Sequence, residues 1–184
     1  MNHSPTDSRI VDVLAFSRLG GERHGQWPLA AMPRLGASIL QPDGPGLADW
    51  SARGLQLPVT GGPPEIWLHL QASATVPLQC QRCLQPVSTA LAVERRFRFV
   101  PTEAEAARLD EVSEDDVLVL EPRLDLAGLL EDELILSLPI VAMHEVCPQP
   151  IRAEAPSAGP EIDERPHPFA ALAALRKKST EPER

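Results

Sequence analysis

Two long runs of alternating side chains, meeting at a Cys-x-x-Cys knuckle, constrain this chain more than any other feature. In EIWLHLQASATVPLQC the apolar Ile66, Leu68, Leu70, Ala72, Ala74, Val76, Leu78 and Cys80 take every second position, with Trp67, His69, Gln71, Ser73, Thr75 and Gln79 between them. A period of two sends successive side chains to opposite faces of a strand, so the first set is expected to be buried and the second to meet water. Beyond the knuckle the alternation resumes. Val87, Thr89, Leu91, Val93, Phe97 and Phe99 share one face, and Ser88, Ala90, Ala92, Glu94, Arg96 and Arg98 the other. Two such runs joined by a tight turn predict an antiparallel hairpin over Glu65–Val100, with Cys80 and Cys83 at its tip.

The remaining segments are read around that hairpin. Residues 9–15, RIVDVLA, suggest a short strand that Gly20 and Gly21 soon interrupt. Residues 41–64 hold five prolines and five glycines and predict a long loop, with a brief ordered piece at Leu55 to Val59. EAEAARLDE at 103–111 suits a helical turn, and VLVL at Val117 to Leu120 a short strand. Asp125 is placed to cap a helix in LAGLLEDELILSLP, where Leu126, Leu129, Leu130, Leu134 and Leu138 recur at helical spacing and Pro139 stops the run. The expected fold is therefore α+β: an antiparallel sheet built on the long hairpin Glu65–Val100, a packed amphipathic helix Asp125–Leu138, and a flexible C-terminal tail. The length, 184 residues, suits a single domain over 1–147, followed by a disordered Pro-rich linker at 148–166 and a short apolar helix with basic residues, PFAALAALRKK, within 167–184.

Charge narrows the partners. The formal net charge is −9, and residues 103–133 carry twelve acids against Arg108 and Arg123, so the molecule as a whole repels nucleic acid and any RNA contact must be local. Arg82, Arg95, Arg96 and Arg98 form a basic island on or beside the hairpin tip and are the candidate RNA-binding residues; pairing with the nearby acids competes with that role. Glu131, Asp132 and Glu133 lie mid-helix, where they read as a solvated face or as a docking site for a basic protein. The N-terminus shows no secretory pattern and no run is long enough to span a bilayer, so the protein is expected in the cytoplasm, without a membrane partner.

The three cysteines carry the only other chemistry. In a reducing compartment an odd count argues against a disulfide framework, and the C-x-x-C admits a metal, a redox or a turn reading. His144 and Cys147, three apart in MHEVC, complete a candidate zinc set of Cys80, Cys83, His144 and Cys147, since Cys₃His is a common structural combination. The redox reading lacks the helix N-terminus that normally stabilises a reactive thiolate. No nucleophile elbow, phosphate-binding glycine loop or H-E-x-x-H occurs, and no enzyme is expected, nor any small-molecule substrate.

Three blocks, LQCQRCLQPV, LDLAGLLEDELILSLPIVAMHEVC and HPFAALAALRKK, resemble the YceD-type large ribosomal RNA subunit accumulation proteins in content and order. The resemblance runs from about Glu65 to the C-terminus and marks Cys80, Arg82, Cys83, Asp125, Leu126, Glu131, Glu133, Leu134, Pro139 and His144. It implies a non-catalytic ribosome-biogenesis factor acting in synthesis, processing or stability of 23S ribosomal RNA. The implied partners are large-subunit precursor RNA, a basic ribosomal protein, or both. Some relatives carry further C-terminal cysteines, whereas this chain offers Cys147 alone, so a metal here would need His144. A small zinc- or thiol-dependent regulatory protein is the alternative from another class.

Overall fold

A computed structural model describes residues 9–40 and 46–148. The expected linker and C-terminal helix lie outside the described residues. In chain order the elements are β1 (Ile10–Val11), α1 (Val13–Arg18), β2 (Glu22–Pro28), a 3₁₀ turn (Leu29–Ala31), α2 (Pro33–Gly36), β3 (Leu47–Leu57), β4 (Glu65–Gln79), β5 (Pro86–Val100), α3 (Glu103–Asp110), β6 (Asp116–Val119), β7 (Leu124–Asp125) and α4 (Leu126–Leu136). The content is mixed α and β, as the pattern predicted.

The long hairpin forms in the expected register. Ile66 faces Phe99 at its base and Gln79 faces Pro86 at its tip, so the two alternating faces coincide across both strands. Around it runs a five-stranded sheet in the order β2-β3-β4-β5-β6, antiparallel except where β6 lies parallel to β5. A parallel neighbour needs a crossover rather than a turn, and α3 supplies it. A second ladder, β1 with β7, ties Ile10 and Val11 to Asp125 and Leu124 directly ahead of α4.

The apolar face of the sheet is closed by α1 and α4. Leu126, Leu130 and Leu134 of α4 reach 0% exposure, as do Leu70 and Val76 of β4 beneath them in the same core. Asp125 caps α4 as predicted: its Oδ1 accepts from the backbone N–H of Ala127 at 3.1 Å and Gly128 at 3.0 Å, two donors with no partner inside the helix. Among the described residues the opposite face is covered at the β5–β6 end, where Ala106 of α3 closes a small cluster with Val100 and Val117.

The short strand expected within 9–15 is β1, Ile10–Val11; directly after it Asp12 caps α1 by accepting from the Ala15 N–H at 3.0 Å. One sequence expectation is corrected. The loop expected over 41–64 contains β3, eleven residues long and interior to the sheet. Its inward residues are Ala48, Trp50, Ala52 and Gly54, so three small side chains and one large one hide the apolar contrast that normally reveals a strand. The prolines of this stretch all fall outside the strand, where no ladder donor is lost. At position 54 the smallness has a cause, since α1 lies against this end of β3. A Cβ built on Gly54 would come within 2.8 Å of the Ser17 backbone.

Candidate metal centre

The hairpin tip is a compact knuckle. Cys80 donates its N–H to the Gln85 carbonyl at 3.0 Å and accepts at its own carbonyl from Leu84 at 2.8 Å, which turns the chain tightly enough to aim two sulfurs the same way. The turn requires Leu84 to adopt φ 61°, a left-handed conformation that a branched side chain rarely takes. The residues after α4 then run back across this tip: the Gln81 N–H donates to the Ala142 carbonyl at 2.9 Å, bringing 144–147 alongside.

The result is a four-residue cluster. The ligand atoms of Cys80, Cys83, His144 and Cys147 all lie within 4.8 Å of one another. The sulfurs of Cys80 and Cys147 are 3.9 Å apart and the Cys83 sulfur is 3.4 Å from His144 Nδ1. A tetrahedral zinc site with ordinary Zn–S and Zn–N bonds has ligand–ligand edges of about 3.5 to 3.8 Å, so these separations suit a single ion. His144 Nε2 is 3.0 Å from the Pro86 carbonyl and, since a carbonyl only accepts, carries a proton; Nδ1 is the ring nitrogen turned toward the sulfurs. A hydrogen bond from one ring nitrogen to a backbone carbonyl is the usual way a metal-binding histidine is oriented.

The electrostatics also suit a cation. Burial opposes ionisation at Cys80, but N–H groups of Cys83, His144 and Arg82, with the His144 side chain, outweigh it and bring the thiol down to about 5. Burial pushes the Cys83 thiol up, the Gln85 N–H working against it and the other two cysteines with it. A Cys80 thiolate at neutral pH beside a Cys83 thiol that resists sharing negative charge is what a metal-free cluster should show, and a divalent cation relieves that repulsion.

The arginines expected to contact RNA take different positions. Arg82 lies against the metal-ligand segment, its Nε donating to the Cys147 sulfur at 3.0 Å. Arg95 bonds Glu133 at 3.2 Å, Arg96 grips Asp115 with Nε and Nη2 at 3.0 and 2.9 Å, and Arg98 meets Glu65 at 2.7 Å. Arg96 also lies over the Trp67 ring, 5.7 Å from its centroid. Arg95, Arg96 and Arg98 thus pair with nearby acids, whereas Arg82 bonds a sulfur and two backbone carbonyls.

The acidic triplet on α4 also differs from a solvated face. Glu131 and Glu133 are each 6% exposed. Glu131 Oε1 accepts from the Arg34 and Leu35 N–H groups at 2.7 and 3.1 Å, capping α2, and its Oε2 meets Arg34 Nε at 3.2 Å. Asp132 is the outward member and bonds the same guanidinium through Arg34 Nη1. Sequence reasoning missed these roles because the partners lie far away in the chain. The exposed acids of residues 103–133 are instead Glu103, Asp110, Glu111, Glu114, Asp116, Glu121 and the cap residue Asp125.

The family model for large ribosomal RNA subunit accumulation protein YceD matches residues 68–176, a span containing most of the hairpin, α4 and all four cluster residues. The chain belongs to the YceD family. A curated relative from Haemophilus influenzae, named large ribosomal RNA subunit accumulation protein YceD, is 38% identical over 106 residues, covering 56% of this chain and 61% of the relative. The chain thus spans less than two thirds of the length of that YceD protein. No solved structure matches the chain. Among the described residues no helix is long and apolar enough to cross a membrane.

Proposed function

We propose that this chain is a non-catalytic cytoplasmic factor for accumulation of the large ribosomal RNA, acting in synthesis, processing or stability of 23S RNA. The observation that carries the reading is the family match over 68–176, which includes most of the hairpin and the whole Cys₃His cluster. In this reading Cys80, Cys83, His144 and Cys147 hold a structural zinc ion that fastens the segment after α4 to the hairpin tip.

A basic ribosomal protein is favoured over bare RNA as the direct partner. The hairpin arginines are engaged with Glu133, Asp115 and Glu65, leaving little positive surface to neutralise phosphates. The exposed acids around α3 attract a basic partner. Leu84, Ile140, Val141, Met143 and Val146 also stand exposed around the cluster, an apolar rim that fits a protein better than a phosphate backbone. Deleting the gene and profiling ribosomal particles tests the function: large subunits and 23S RNA should fall relative to small subunits, and wild-type expression should restore them. Unchanged levels of 23S RNA and its precursors would overturn it.

A further inference from the structure

We infer that Arg82 is a positioning residue for the metal cluster, holding Cys147 and His144 in place and neutralising the third thiolate. The inference rests on the zinc reading above and adds an outer ligand that the four-residue set does not contain. Arg82 sits between the two cysteines of the knuckle, so its backbone is fixed by the same turn that aims Cys80 and Cys83. From there the guanidinium spans the gap to the other half of the cluster. Nε donates to the Cys147 sulfur at 3.0 Å, while Nη2 donates to the carbonyls of His144 at 2.8 Å and Glu145 at 3.2 Å.

These three bonds do two things that the ligands alone do not. They fix the backbone of the segment bearing His144 and Cys147, which has no regular secondary structure and is anchored otherwise by Gln81 and the His144 ring. They also place a permanent positive charge on a cluster that carries one net negative charge when three thiolates and one neutral imidazole bind a divalent ion. An N–H donated to a metal-bound sulfur draws off part of its electron density, so Cys147 should be a poorer nucleophile with Arg82 in place. A lysine has the charge but not the planar fork, and cannot serve a sulfur and two carbonyls together.

Zinc-loaded wild type, R82Q and R82K are compared by competition with a chromophoric chelator and by the rate at which iodoacetamide alkylates Cys147, read by mass spectrometry. R82Q should hold zinc roughly 10- to 100-fold less tightly, the range typical of outer-shell loss. It should also alkylate faster at Cys147, with R82K between it and wild type. Wild-type retention and alkylation in R82Q, with an unchanged circular dichroism spectrum, would overturn the inference. If wild type itself binds no zinc, the metal reading fails separately. Arg82 is then judged in the metal-free chain by hydrogen exchange at 143–147: faster exchange in R82Q supports the strap, and equal exchange removes it.

Discussion

Glu133 is a carboxylate on a helix face that otherwise belongs to the core, and its surroundings set how it responds to pH. Burial raises its pKa above the ordinary 4.5, Arg95 on β5 pulls it down, and Asp116 near β6 and its neighbour Asp132 push it further up. Because the folded chain holds this proton more tightly than the unfolded chain, the group favours folding at low pH. That contribution is lost as the pH rises from the ordinary carboxylate value through the raised one. E133Q, neutral throughout, should therefore gain stability relative to wild type as the pH rises above the ordinary carboxylate value. Urea unfolding of both proteins from acid to neutral pH reads the difference, and a difference that stays constant, or moves in favour of wild type as the pH rises, would refute the assignment. The triplet Glu131-Asp132-Glu133 shows why such roles are hard to read in sequence. Residues two apart on a helix point about 200° apart, so Glu131 and Glu133 emerge on opposite flanks of α4. Both flanks are occupied, one by α2 and one by β5, and the partners Arg34 and Arg95 lie 97 and 38 positions away.

Elements were legible in proportion to the contrast between their faces. The hairpin and α4 showed clear periods of two and of helical spacing, and the cap at Asp125 followed from a single side chain. β3 did not, because its buried face is mostly small, Ala48, Ala52 and Gly54 beside Trp50, and Gly54 lies close against α1. β2 was missed for a related reason: Glu22–Pro28 is an edge strand whose buried residue is Trp27, stacked on Trp50 with centroids 4.3 Å apart. The closeness of α1 to β3 gives a direct test. In G54A the added methyl would meet the backbone of Ser17, which cannot rotate away, as well as the ring of Phe16 at 2.8 Å. The substitution should cost roughly 1 to 3 kcal/mol, the usual range for overpacking, and lower the urea midpoint without changing the slope. A midpoint equal to wild type would mean that α1 shifts freely on the sheet.

At the scale of the whole molecule the cluster and the core are separable, and that distinguishes this site from metal sites that create their fold. The main core runs from Val11 to Ala142 and is built by the sheet, α1 and α4; the four candidate ligands stand at the far end of the hairpin, where it meets a segment without regular structure. All four ligand types were visible in the sequence, but their convergence was not, since it depends on where the chain goes after Pro139. It follows that metal removal should loosen the tip and leave the body folded, unlike a small zinc finger, which unfolds without its ion. Zinc binding only to the folded state stabilises it in proportion to the logarithm of free metal over Kd, about 4 kcal/mol at a thousandfold excess. Wild type should accordingly melt at a higher temperature as zinc is added, while C83S, lacking one ligand, should stay near the midpoint of chelated wild type. Chelated protein should keep its far-ultraviolet spectrum and become protease-sensitive within 140–148. Loss of the spectrum on chelation would make the ion part of the fold itself, and an equal zinc response in C83S would remove Cys83 from the ligand set.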